Sequence, residues 1–221
     1  MADNHWHAPV DIYCERVGPE FWAEPLNAIS NAAFLMAALG GLLIWRRRGA
    51  DDWPALLLIL LIAAIGIGSF LFHTFATRWA AAADVLPIII CLLAFLFIAQ
   101  RRMFGLSAVA AALGLAIFLG LNVLNGFLSP PGFLNGSGTY LPALAAIFFG
   151  AVILQMRADP AARMLFLLTG VFALSITLRS IDMAVCDALP IGVHYFWHIL
   201  NGLAFYIAIR VVMDYRQTAR T

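Results

Sequence analysis

Seven apolar runs of about twenty residues, with most of the charge confined between them, leave this chain few folds to adopt. They read as helices over residues 26–46, 53–75, 80–100, 104–124, 138–156, 163–183 and 190–213. Strands of a membrane barrel would alternate apolar and polar residues, and these runs do not. Of the 221 residues, 63% are hydrophobic and 11% charged, whereas a soluble domain carries about a quarter charged residues. The expected fold class is an all-α membrane protein, a seven-transmembrane-helix bundle.

Arginine sets the expected orientation. All thirteen basic residues are arginine, and ten of them (Arg46, Arg47, Arg48, Arg101, Arg102, Arg157, Arg163, Arg210, Arg216 and Arg220) fall on one side of such a bundle. Arg16, Arg78 and Arg179 fall towards the other. The positive-inside rule then places the N-terminus outside and the C-terminus in the cytoplasm. Residues 1–25 would form an extracytoplasmic segment, 26–213 the membrane domain and 214–221 a cytoplasmic tail. The polar start lacks the pattern of a cleavable signal peptide. Arginine without lysine, with abundant alanine, suggests a bacterial source and hence an inner membrane. Cys14, Cys91 and Cys186 are too few and scattered to predict a disulfide framework. The stretch 125–139, uncharged and rich in proline and glycine, reads as an outer connecting loop.

Ionisable residues are costly in hydrocarbon, so those that persist there line a cavity, bind something or react. Three histidines qualify: His73 near the outer end of the second run, and His194 and His198 in the outer half of the seventh. The latter pair is four residues apart and shares a helix face. A lone intramembrane histidine commonly bonds a neighbouring helix; two in register with a third at matched depth point to a metal. Three neutral imidazoles leave a fourth tetrahedral position open, the arrangement of catalytic zinc. Ser69 lies one turn before His73, and Asp84 lies at the same depth across the turn between the second and third runs. They supply a hydroxyl for an oxyanion and a carboxylate for a proton. Arg179 and Asp182, three apart, read as a structural ion pair, and Asn27 and Asn31 as inter-helix hydrogen bonds.

The string Gly68-Ser69-Phe-Leu-Phe-His73-Thr74, then Asp84, then His194-Tyr-Phe-Trp197-His198 resembles the alkaline ceramidase family, within a wider superfamily of seven-helix membrane hydrolases. Asp11-Ile-Tyr-Cys14-Glu15 and Glu24-Pro-Leu-Asn27-Ala-Ile-Ser30-Asn31 resemble the start of that family, so the likeness runs from about residue 11 to 205. The resemblance implies an amidohydrolase that cleaves the N-acyl bond of ceramide or a ceramide-like lipid, giving a fatty acid and a sphingoid base. It implies zinc on His73, His194 and His198, with Ser69 and Asp84 beside it. It also implies a calcium site from Asp11, Glu15 and Glu24, although this chain has Ile12 where the family has an acidic residue. The expected partners are the bilayer and its lipids, with no nucleic acid and no obligate protein partner. The alternative is a metal-containing sensor like the progestin and adipoQ receptors, which belong to the same superfamily and have the opposite orientation.

Overall fold

The computed structural model describes residues 5–218. Seven helices in it are long and apolar enough to cross a membrane: Pro25–Arg47, Trp53–Phe75, Arg78–Met103, Ala108–Leu128, Ser137–Met156, Ala161–Ile181 and His194–Thr218. They are called here the first to seventh spans. No sheet forms among the described residues; one isolated bridge joins Pro9 to Thr77. The protein is an all-α bundle and an integral membrane protein.

Local chemistry sets the ends of these helices. The second span starts behind Asp52, whose side chain accepts the N–H of Ala55. The fourth starts four residues later than its apolar run, because Gly105 turns at positive φ and Ser107 caps the helix through Ala110 N–H. The seventh also starts later, at His194, because residues 190–193 form the turn that enters it. The helix then continues to Thr218, past the expected boundary at 213. Residues 1–4 and 219–221, including Arg220, lie outside the described residues.

The second and seventh spans are the most enclosed, and Leu58, Ile62, Ile65, Ile209 and Val212 build the core from them. The fourth span is the most peripheral. At one end of the bundle, Arg102 grips the Asp52 carboxylate at 2.6 and 2.9 Å, and Arg48 reaches Asp214 at 2.6 Å. The other end carries the histidines. There the N-terminal segment packs down as part of the fold: Val10 N–H donates to Ala76 O (2.8 Å) and Arg78 N–H to Ala8 O (3.1 Å). A Cys14–Cys186 disulfide, which the cysteine count did not predict, ties this segment to the connection before the seventh span.

One close approach positions the site. Pro87, inside the third span, has no N–H for the carbonyl four residues back, that of Ala83. Gly68 of the second span backs onto that carbonyl, so tightly that a Cβ at Gly68 would lie 2.0 Å from Ala83 O and 3.1 Å from Asp84 N. Only glycine lets Ser69 and Asp84 stand side by side. Gly68→Ala should therefore destabilise the purified protein by about 1–3 kcal/mol, the usual cost of overpacking. Gly120→Ala, at a helical position with nothing within 4 Å, should not. Thermal unfolding of the two variants in detergent checks this; equal melting temperatures would refute the packing argument.

Candidate metal centre

The three histidines meet. His73 and His198 ring centroids lie 4.7 Å apart, His194 and His198 4.7 Å, and His73 and His194 5.2 Å. Each offers a ring nitrogen, and the three nitrogens all lie within 4.8 Å of one another. All three side chains are buried.

Their hydrogen bonds assign the protons. Glu24 Oε2 stands 2.6 Å from His73 Nδ1, so a neutral His73 carries its proton there and leaves a lone pair on Nε2. Ser30 donates its hydroxyl proton to Asn27 O at 2.9 Å and faces His198 Nδ1 at 2.8 Å, so His198 Nδ1–H is the donor and its Nε2 is likewise free. Both Nε2 atoms are buried and have no protein partner, as is His194 Nδ1. A buried acceptor without a donor is costly, and a metal ion satisfies three at once. The donor set fits zinc, which takes imidazole nitrogen in a tetrahedron with one position open to water or substrate.

Each histidine is braced from behind. His194 N–H donates to Asp182 Oδ1 at 2.9 Å, and its ring stacks on Tyr13 at 3.6 Å. Asp182 also accepts Val193 N–H (2.7 Å) and Cys14 N–H (3.0 Å). Gly192 is required beside it: φ is +61°, and a Cβ would fall 2.2 Å from Asp182 Oδ1. The expected Arg179–Asp182 ion pair is not among the ion pairs of the described residues. Arg179 instead donates to Asn135 O (3.0 Å), Ser137 Oγ (2.8 Å) and Tyr13 OH (3.3 Å), under the rings of Tyr140 and Trp197. It thus pins the connection between the fourth and fifth spans, which covers 129–136 rather than the expected 125–139, to this end of the bundle. The expected role of Asn27 and Asn31 is also revised, because Asn27 Nδ2 donates to Glu24 and Asn31 Nδ2 to Asn27 O, within their own segment.

Ser69 and Asp84 fall beside the histidines. Ser69 follows Gly68, which backs onto the Ala83–Asp84 peptide, so Ser69 and Asp84 are neighbours across the second and third spans. Asp84 Oδ1 is enclosed and has no protein partner.

Of the predicted calcium ligands, Glu15 and Glu24 both bond Asn27, and each is already engaged by other donors. Asp11 is exposed. Glu15 accepts Leu26 N–H at 2.7 Å and Asn27 N–H at 2.8 Å, so its carboxylate caps the first span. Glu24 takes Arg16 Nε (2.5 Å), His73 Nδ1 and Asn27 Nδ2 (3.0 Å). Burial alone would raise the Glu24 carboxyl, but the bonds from His73, Asn27 and Arg16 outweigh it and hold the group below its ordinary range. Burial pushes Glu15 upward, against the pull of its two N–H donors. Among the described residues, only the three histidines form a cluster able to hold a metal ion.

Fold and site together define a class, the integral membrane hydrolases assisted by a metal. The family model for Ceramidase matches residues 9–221, and the chain belongs to that family. No curated protein matches it.

Asp182→Ala would strand three N–H groups, two of them at the entrance to the seventh span. An unsatisfied buried donor costs about 1–3 kcal/mol. The variant should melt well below the wild type, and Asp182→Asn, which keeps one acceptor oxygen, should fall between. Equal melting temperatures for all three would show that Asp182 does not hold His194 in place.

Proposed function

We propose that this protein is a zinc-dependent amidase that cleaves the N-acyl bond of ceramide or a ceramide-like lipid, releasing a fatty acid and a lipid amine. The observation that carries the reading is the trio of imidazoles, two with tautomers fixed from behind, whose free nitrogens converge next to Ser69 and the unpartnered Asp84 Oδ1. Family membership supplies the amide bond. When bound, zinc would act as a Lewis acid, polarising the amide carbonyl and lowering the pKa of a coordinated water towards ~7.

The chain's own residues do the rest. Asp84 Oδ1 accepts the proton of the attacking water and returns it to the leaving amine, the two-way use of one general base. Ser69 stands beside Asp84, and its one hydroxyl proton would go to the oxyanion as the carbonyl carbon becomes tetrahedral. Gly68 fixes their separation. His73, His194 and His198 keep the metal at one depth, and Tyr13 and Trp197 wall the site with rings that exclude water.

The substrate's shape has support in the bundle. An apolar cavity opens beneath the histidine layer, lined by Phe34, Leu92, Phe95, Phe172 and Ile209, with Tyr140 and Trp197 also on its wall. Phe34 contacts the His198 ring edge-on at 6.2 Å, so the cavity adjoins the metal site. Such a space suits an alkyl chain whose carbonyl end is held at the histidines. The arginine asymmetry supports an outward-facing histidine end, and the Cys14–Cys186 disulfide at that end suits an oxidising compartment such as a periplasm.

Purified protein should contain about one zinc, lost in a His194→Ala/His198→Ala double variant. Asp84→Asn should keep the zinc and lose about 10²–10⁴-fold in kcat, the usual contribution of a positioned acid–base group. The substrate reading is tested by incubating the protein with a panel of N-acyl lipids, ceramide included, and following free fatty acid with and without chelator. Zinc retained by the double variant would refute the ligand assignment; no fatty acid from any lipid would refute the amidase reading.

A further inference from the structure

Arg16 is 8% exposed and lies at the side of the metal site, in the N-terminal segment. Its guanidinium is surrounded by oxygen. Nε meets Glu24 Oε1, Nη1 donates to Gly18 O at 3.0 Å, and Nη2 donates to His73 O at 3.0 Å. One carboxylate and two backbone carbonyls are ligands a hard cation such as calcium takes, but calcium needs six to eight oxygens. Of the other two predicted carboxylates, Glu15 is turned away onto the backbone of Leu26 and Asn27, and Asp11 is exposed.

We propose that the Arg16 guanidinium is this chain's built-in cation: it fixes Glu24, and through Glu24 His73, so that the site needs no calcium. Glu24 Oε2 faces His73 Nδ1 at 2.6 Å and so turns the Nε2 lone pair towards the metal. The second oxygen of this buried carboxyl needs a fixed cationic donor of its own, which a histidine shared with a metal does not provide. Arg16 does, and its planar fork reaches the carboxylate and both carbonyls together, which the point charge of lysine cannot. The contact to His73 O also holds the backbone of the ligand whose ring Glu24 orients. Arg16 is thus a positioning residue, acting on the metal through Glu24 and His73.

This inference rests on His73 being a metal ligand, and the test separates the two. Wild-type protein stripped of calcium should bind no ⁴⁵Ca²⁺, and millimolar Ca²⁺ should leave its melting temperature unchanged. Arg16→Ala, checked for folding by gel filtration in detergent, should bind zinc about 10–100-fold more weakly in a chelator competition, the usual cost of losing a partner behind a ligand. Arg16→Lys should bind with intermediate affinity, and methylguanidine should restore much of the zinc affinity of Arg16→Ala. If Arg16→Ala fails to fold, the Lys variant and the wild-type calcium measurements decide. Stoichiometric ⁴⁵Ca²⁺ on the wild type, stabilisation of the wild type by Ca²⁺, or wild-type zinc affinity in Arg16→Lys would each overturn the proposal. Absence of zinc from the wild type would instead overturn the metal reading and leave the calcium arm to be judged by itself.

Discussion

The Glu24 carboxylate joins three parts of the chain that lie far apart in sequence. It meets the Arg16 guanidinium, the Asn27 amide and the His73 ring, and it is itself almost fully buried. A carboxylate so placed is stable only while its partners stay, since removing one leaves a buried charge uncompensated. The N-terminal segment, the start of the first span and the end of the second are therefore locked to one another. The direction of the His73 ring follows from that lock. The other two histidines depend on it in turn, because three nitrogens within 4.8 Å make a site only when each ring holds its angle.

The rest of the bundle is arranged so that this polar layer can exist. Its polar side chains are collected at one end, where the N-terminal segment and the connection between the fourth and fifth spans supply hydrogen-bond partners. The apolar core fills the other part of the molecule, and arginine–aspartate pairs finish the far end. Backbone contacts at Gly68 and Gly192 bring the second and third spans, and the turn before the seventh, close enough for side chains to meet. Segregation of this kind matters in a membrane, where an unsatisfied polar group has no water to fall back on.

Much of this was legible in the sequence, and the missing parts share a cause. The seven spans follow from the length of apolar runs, and the second span was placed at its observed limits. The convergence of His73, His194 and His198 followed from periodicity and depth, both local properties. The placement of Ser69 beside Asp84 followed from their equal distance from one turn. Partners separated by long stretches of chain were not legible. Asp182 was paired with its neighbour Arg179, yet its partners lie at Cys14, Val193 and His194. The resemblance makes Asp11, Glu15 and Glu24 cation ligands, and nothing local shows that Arg16 folds back onto Glu24 and His73. The Cys14–Cys186 link spans 172 residues and has no local signature either. The late starts of the fourth and seventh spans were missed because hydropathy continues through Phe104–Leu106 and Pro190–Val193, where glycine geometry and caps decide.

The central claim is that three histidines from two helices hold one metal ion, braced by Glu24 and Asp182. Anomalous diffraction from crystals of the purified protein, recorded on both sides of the zinc absorption edge, tests it most directly. The account predicts a single zinc peak at about 2.0–2.1 Å from one ring nitrogen of each of His73, His194 and His198. A zinc peak elsewhere, or one held by fewer than these three residues, would contradict it.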